Sequence, residues 1–192
     1  MENASTHLPL PEQITVNDEV VLRLLAESDA QELFRVVDDN RPHLGAWLPW
    51  VSANRAVADS LIFIRFVRAQ FLASSGLSLA IFVRRELAGI ITLRSLDWQN
   101  RSGEIGYWLA KKFQGRGIMH ASCRSVLRCA FHDLGLHRVV IRCAPGNTRS
   151  SAIPERNGFV KEGTARGAEL LNGTFIDLTV YSLLASEWKD NE

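Results

Sequence analysis

The chain has 192 residues, of which 46% are hydrophobic, and this length and composition predict one domain with a single core. No apolar run reaches the ~18 residues of a membrane-spanning helix, so we expect no membrane partner. With a formal net charge of +1, the chain lacks the excess of Lys and Arg that is typical of nucleic-acid-binding proteins, so we expect no nucleic-acid partner either.

The N-terminal half predicts a hairpin, two helices and two strands. Residues 1–12 lack the basic and apolar regions of a signal peptide and predict a flexible arm ahead of a domain at 13–188. Segments 14–16 and 20–25 flank a turn and predict a hairpin. Ser28 and Gln31 have capping-box spacing and predict a helix to about residue 39, and a second helix covers 57–73. The Trp- and Pro-rich segment 42–51 cannot form one regular helix, and strands at 78–84 and 87–96 follow.

The C-terminal half predicts a strand at 104–110, a helix from Met119 to Leu134 and a strand at 137–143. A short helix at 150–157 should place Pro154 in its first turn, because proline in a helix interior removes a hydrogen bond. Strands at 159–161, 168–171 and 174–184 complete the sheet, the last two joined by an Asn-Gly turn. The fold class is therefore α/β (α+β), with about four helices.

The cysteine pattern indicates the redox environment. Cys123, Cys129 and Cys143 are odd in number and lack CxxC spacing. This pattern predicts reduced, buried thiols and a cytoplasmic location. No paired ligand spacing indicates a metal site.

A glycine-rich turn opens the helix that follows strand 104–110. Gly115 and Gly117 allow close approach of the backbone to a ligand, and unpaired N–H groups at a helix start suit a diphosphate. P-loop spacing is absent, and the dinucleotide fingerprint fails because His120 stands where a third small residue is needed. Taken alone, the glycines are also compatible with a tight turn that binds nothing.

The motifs, taken in order, resemble those of the GNAT acetyltransferases, in particular the RimJ/RimL-like ribosomal-protein N-terminal acetyltransferases. The family signature is Gln or Arg, two residues, Gly, one residue, and Gly or Ala; here it runs from Gln114 through Gly117, with Met119 in the last place. The other matching segments are HLGAWLPW (43–50), GEIGYWL (103–109), NTRSSAIPERNGF (147–159) and AELLNGTFIDLTVYSLL (168–184). The resemblance implies the GNAT fold, a mixed and mostly antiparallel sheet flanked by about four helices, with acetyl-CoA as co-substrate and no metal.

The same resemblance implies a coenzyme site in three parts. The main chain of Trp108 and Leu109 would hold the pantetheine arm, and Asn147 and Ser150 resemble the second coenzyme motif. The pyrophosphate would lie on the turn formed by Gln114, Gly115, Arg116, Gly117, Ile118 and Met119. From residue type alone, Trp108 and Leu109 fit a core, Arg116 fits a solvated surface, and Asn147 and Ser150 fit helix caps.

Catalytic roles also come from the resemblance. Glu169 corresponds to the base of the RimL-like branch, and Ser150 to the serine that protonates the departing thiolate. Glu104 is a competing base or a structural carboxylate, and Tyr181 is a second choice for the acid. Many GNATs have a tyrosine acid where this chain has Pro154, which has no proton to donate. Partial burial of Glu169 would raise the pKa of its carboxyl group, whereas an outward-facing side chain would stay solvated.

Two tryptophans are the candidate residues of the acceptor site. Trp47 and Trp50 either line a peptide groove or seal the edge of the core. The preferred function is transfer of acetyl to the N-terminal α-amine of a ribosomal protein of the serine or alanine type, by direct attack in a ternary complex. Two alternatives stay open: a small-molecule amine acceptor (polyamine, amino acid or antibiotic), and a non-catalytic acyl-CoA-binding module. Similar proteins are often homodimers, but no interface is specified by the sequence.

Overall fold

A computed structural model describes residues 9–190 of the chain. Within this range one sheet contains the strands β1 (Gln13–Thr15), β2 (Val20–Leu24), β3 (Leu77–Val83), β4 (Glu86–Asp97), β5 (Ser102–Leu109), β6 (Arg138–Cys143), β7 (Val160–Leu171) and β8 (Thr174–Leu184). The helices are α1 (Ala30–Asp39), α2 (Arg41–Leu44), α3 (Val57–Leu72), α4 (Ile118–Arg128) and α5 (Thr148–Arg156). A π-helical turn, Cys129–Asp133, extends α4.

The sheet is mixed and mostly antiparallel, as expected. Its strand order is β1-β2-β3-β4-β5-β6-β8-β7. Only the β5–β6 pair is parallel, because α4 carries the chain from the end of β5 back to the start of β6. The remaining neighbours are antiparallel.

Helices cover both faces of the sheet around one core. Every residue of β3 is buried, which requires packing on both sides of that strand. The helices α1 and α3 pack against each other. The helix α4 packs with α5 and against the strands β1, β2 and β4. Of the predicted N-terminal arm, residues 1–8 lie outside the described residues, while Leu10 is buried in the core.

Several predicted elements are confirmed. The first hairpin forms as β1 and β2, because the Asn17 side chain accepts hydrogen bonds from the main-chain N–H groups of Glu19 and Val20. The Asn172-Gly173 turn joins β7 and β8, with both residues in the left-handed region. Segment 42–51 is not one regular helix: it contains the end of α2 and a 3-10 turn, Pro49–Ser52.

The predicted first helix forms as α1, Ala30–Asp39, but its predicted cap was wrong. No Ser28–Gln31 capping box forms. The Asp29 carboxylate instead accepts a hydrogen bond from the Ala26 N–H at 2.7 Å and pairs with Arg23 at 2.8 Å. These contacts stabilise a 3-10 turn, Glu27–Asp29, so the helical segment begins earlier than the capping motif suggested.

The predicted position of Pro154 was also wrong. The helix α5 begins at Thr148, because the Asn147 side chain caps it by accepting from the Ser150 N–H at 3.2 Å. Pro154 therefore lies inside the helix rather than in its first turn. The two predicted strands at 159–161 and 168–171 are parts of one strand, β7, which has register shifts between them.

Candidate active site

The central feature of the site is a gap between β5 and β6. These two strands pair only where Ser102–Glu104 of β5 lies beside Arg138–Val140 of β6. Beyond Glu104, β5 continues to Leu109 paired with β4 alone, and β6 continues to Cys143 paired with β8 alone. The main-chain groups of β5 that face the gap have no ladder partner from β6, so an extended ligand can pair with them as an added strand would.

Glu104 lies where the two strands separate. Its carboxylate accepts from Arg94 on β4 at 2.5 Å and from Arg142 on β6 at 2.6 Å, one guanidinium at each oxygen. The Glu104 side chain is 10% exposed, whereas Arg94 and Arg142 are 52% and 40% exposed. Both oxygens are engaged in a bridge across β4, β5 and β6, and this geometry fits a structural carboxylate better than a base.

The glycine-rich turn lies at the start of α4. Gly115 and Gly117 both have φ of +74°, and a Cβ added at either would meet no atom within 4 Å. The first helical bond runs from the Ala121 N–H to the Gly117 carbonyl at 3.0 Å, so the N–H groups of residues 118–120 have no helical acceptor. The Ile118 and Met119 side chains are buried in the core and leave the open side of the turn clear. Free donors, open space and the positive end of the helix dipole fit a diphosphate.

Around this turn the surface is concave. A cavity of about 410 Å³ lies between the turn after β1 and the start of α4, lined by Asn17–Val20, Val83, Arg116–Ile118 and Ala121. Arg116 itself is exposed, with its guanidinium 5.8 Å from the centre of the Phe113 ring. The turn is thus open to a ligand from solvent.

A chain of polar side chains crosses the mouth of the gap. The Gln114 amide nitrogen lies 2.6 Å from His43 Nε2 and donates to the Leu109 carbonyl at 3.2 Å. On the other side, Arg149 donates to Gln114 Oε1 at 2.9 Å. Sequence reasoning gave His43 and Arg149 no role, although they lie in the matching segments 43–50 and 147–159, because their contacts join residues distant in the chain.

Tyr107 on β5 connects this strand to α5. Since Pro154 has no N–H, the Ser150 carbonyl lacks its usual donor four residues later. The Tyr107 hydroxyl donates to that carbonyl at 2.8 Å, and Ser150 Oγ donates to Tyr107 Oη at 3.4 Å. Burial raises the pKa of Tyr107, so its hydroxyl stays protonated as a donor. Sequence reasoning assigned Tyr107 no role, although strand alternation next to Trp108 places it on the opposite face.

Glu169 lies at the same sheet edge as the open end of the gap. The strands β5, β6 and β7 run in one direction, so their C-terminal ends meet at one edge. On β8, Thr179 pairs with Cys143 of β6, and Ile176 pairs with Glu169 of β7. Glu169 therefore lies beyond Cys143, the last paired residue of β6. The Glu169 side chain is half-buried, and its carboxylate has no hydrogen bond or ion pair within residues 9–190.

The segment 43–50 also lies at this edge. The Trp47 ring is against Gly146, just before α5, and Trp50 lies with its ring centroid 6.1 Å from that of Trp108. Trp50 is 40% exposed and Trp108 is 9% exposed. Asn172, at the tip of the β7–β8 hairpin, donates to the Gly45 carbonyl at 3.0 Å. Both predicted acceptor residues therefore lie close to the gap, and part of the Trp50 ring faces solvent.

Other predicted groups have simpler surroundings. The Tyr181 hydroxyl donates to Glu155 at 3.1 Å, in a side chain that is buried in the last strand. All three cysteines are free and buried, as predicted, and burial raises the pKa of Cys123 and Cys129 to about 12. Within residues 9–190, no helix is long and apolar enough to cross a bilayer, and no three His, Cys, Asp or Glu side chains form a metal-ligand cluster.

The chain is similar to known acetyltransferases over most of its length. The acetyltransferase (GNAT) domain family matches residues 19–160. The chain is 42% identical over 176 residues to "Putative ribosomal N-acetyltransferase YdaF" of Bacillus subtilis (strain 168), covering 91% of this chain and 96% of that protein.

Two solved structures have the same fold and cover nearly the whole domain. One is the microcin C7 self immunity acetyltransferase MccE in complex with acetyl-CoA and AMP, with a TM-score of 0.86, 32% identity, and 91% and 97% of the two chains covered. The other is RimL, the ribosomal L7/L12 alpha-N-protein acetyltransferase in complex with coenzyme A, with a TM-score of 0.87, 29% identity, and 90% and 98% covered. The family match, the mixed sheet with its open β5–β6 gap and the glycine turn agree, and the chain belongs to the GNAT acetyltransferase family.

Proposed function

We propose that this enzyme transfers acetyl from acetyl-CoA to the N-terminal α-amine of a ribosomal protein, of the serine or alanine type. The observation that carries the proposal is the β5–β6 gap, which opens at the sheet edge where the glycine turn, Glu169, Ser150 and the two tryptophans lie. The acceptor class is supported by the similarity to YdaF and to RimL over nine-tenths of the chain.

Acetyl-CoA would supply the activated acetyl group as a thioester. In this proposal the main chain of β5 near Trp108 and Leu109, which has no ladder partner on β6, holds the pantetheine arm, and the N–H groups of residues 115–120 hold the diphosphate. Asn147 and Ser150 border the arm from the start of α5. In this proposal the acyl end lies inside the gap, whose open end is at the sheet edge that carries Glu169.

Glu169 is the proposed general base. An α-amine has a pKa of about 7.7–8.0, against about 10.4 for lysine, so a carboxylate that acts through one water can remove the proton. The unpaired carboxylate of Glu169 is available for this role, whereas both oxygens of Glu104 are held by arginines. The neutral amine then attacks the acetyl carbonyl carbon directly, and no acyl-enzyme forms.

Ser150 is the proposed proton donor to the leaving thiolate. Its Oγ lies on the first turn of α5 and contacts Tyr107 Oη at 3.4 Å. This long contact leaves the hydroxyl hydrogen able to turn towards the sulfur. Tyr107 holds the backbone of Ser150 in place and is a positioning residue in this scheme.

A small-molecule amine is the second candidate acceptor, because the chain is 32% identical to a self immunity acetyltransferase crystallised with AMP. The two candidates differ in which amine receives the acetyl group. Mass spectrometry after incubation with acetyl-CoA should detect an acetyl group on serine- or alanine-starting ribosomal peptides. Acetylation of spermidine, free amino acids or aminoacyl nucleotides with no peptide product would instead establish the second candidate.

The base assignment is tested with Glu169→Gln. We expect kcat to fall more than tenfold, because the variant lacks the group that accepts the proton of the amine. Glu12→Gln is the matched control, since Glu12 is an exposed carboxylate next to β1, at the opposite end of the sheet. An unchanged kcat in Glu169→Gln would remove Glu169 from the mechanism.

A further inference from the structure

Arg149 lies between Asn147 and Ser150 of the second coenzyme motif but is not one of the residues that define it. It is exposed, on the first turn of α5, and donates through Nη1 to Gln114 Oε1 at 2.9 Å. Gln114 follows β5 and Arg149 follows β6, so their contact spans the mouth of the gap between the two strands. The guanidinium is thereby held beside the first residue of the glycine turn.

No acidic side chain within residues 9–190 pairs with Arg149, which donates instead to a neutral amide oxygen. The Gln114 amide nitrogen is already engaged with His43 and the Leu109 carbonyl, which fixes its oxygen towards α5. A guanidinium has five N–H donors in a planar fork, and one of them is used here. The remaining donors are available to an anion that enters beside Gly115.

We propose that Arg149 is a ligand of the coenzyme diphosphate, on the side opposite to the N–H groups of the turn. It would exchange the neutral Gln114 oxygen for phosphate oxygens, with which a guanidinium forms charge-assisted and often bidentate hydrogen bonds. The diphosphate would then lie between main-chain donors after β5 and a cation after β6. This inference rests on the proposed function, because it takes a coenzyme A thioester as the ligand.

The predicted effect is specific to the phosphate part of the ligand. Arg149→Gln should weaken the binding of coenzyme A and of dephospho-coenzyme A about tenfold each, because both molecules carry the diphosphate. It should leave the binding of pantetheine unchanged, because pantetheine has no phosphate. Arg149→Lys should retain part of the affinity, because it keeps the charge but loses the fork.

Isothermal titration calorimetry of the full-length protein with these three ligands provides the test. Arg156→Gln is the matched control, since it removes the same charge from an exposed position at the other end of α5 and should bind all three ligands normally. Circular dichroism verifies that each variant is folded.

Three results would overturn the assignment: unchanged coenzyme A binding in Arg149→Gln, weakening for coenzyme A but not for dephospho-coenzyme A, and an equal loss for pantetheine. The second would place Arg149 at the 3′-phosphate, and the third would make it a positioning residue for Gln114. Wild-type protein that binds no coenzyme A would refute the proposed function and this assignment together. Normal wild-type binding with an unaffected variant would refute the assignment alone.

Discussion

The hydroxyl of Tyr107 should stabilise the protein because Pro154 leaves the Ser150 carbonyl without a helical donor. Tyr107→Phe removes the 2.8 Å hydrogen bond and leaves that carbonyl, partly buried, without the donor it has now. Loss of one partner from such a pair costs about 1–2 kcal/mol. For a chain of this length we expect Tm to fall by about 2–4 °C per kcal/mol.

Pro154→Ala tests the cause of this cost. Alanine restores an N–H four residues after Ser150, where a regular α-helix directs it at the Ser150 carbonyl. In that background Tyr107→Phe should cost about 1 kcal/mol less than in the wild type, because the carbonyl keeps a donor. Pro154→Ala by itself should be close to neutral or stabilising, since proline is disfavoured in a helix interior.

The measurement is a double-mutant cycle by urea denaturation, with Tyr181→Phe as the matched control. The Tyr181 hydroxyl contacts the same helix but donates to the Glu155 side chain rather than to a carbonyl of α5. Its removal should cost the same in both backgrounds. If Tyr107→Phe also costs the same with and without Pro154, the link between Pro154 and Tyr107 is refuted.

Two further predictions concern the turn and the far side of the sheet. Gly117→Ala should lower stability by about 1–2 kcal/mol, because alanine is strained at the left-handed φ of this position, and should weaken coenzyme A binding at least tenfold. The control is Gly135→Ala, with φ of +64° and equally open space, which should lower stability alone. Equal binding of coenzyme A by both variants in calorimetry would contradict the role of the turn. Arg138 and Ser182 hold the pKa of Glu162 down at about 2, against an ordinary value of 4.5, so this pair stabilises the fold above pH 4.5 and the contribution is lost as pH falls towards 2. Glu162→Gln and Arg138→Gln should each flatten the dependence of the urea midpoint on pH over this interval, and a wild-type-like dependence in both would contradict the assignment.

Much of the fold was predictable because its signals are local. Hydrophobic spacing predicted α4, and the Asn172-Gly173 pair predicted the last hairpin, since both depend on neighbouring residues. The same holds for the glycine turn, where Gly115 and Gly117 adopt the left-handed φ that glycine permits. The errors arose where a distant or competing group decided the outcome. Asp29 replaced the Ser28 capping box because Arg23, on another element, pairs with it.

The site was predictable only in part, for a related reason. Residues of the glycine turn and of the second motif share short sequence patterns and could be named in advance. The contacts of Gln114 with His43 and Arg149 join three separate segments, each 35 or more residues apart, and depend on how the strands separate. The position of Pro154 inside α5 likewise depends on a distant residue. Tyr107, which lies 43 residues before Ser150, donates to the Ser150 carbonyl in place of the N–H that proline lacks.

Strand β5 explains why these features occur together. Alternation directs Glu104 and Trp108 to one face and Tyr107 to the other. On the first face Glu104 bridges to β6 where pairing ends, and Trp108 packs near Trp50 of the acceptor segment. On the second face Tyr107 connects to α5 at Ser150. A shift of one residue in this strand would exchange the two faces, so the gap, the proposed acid and the acceptor segment would be lost together.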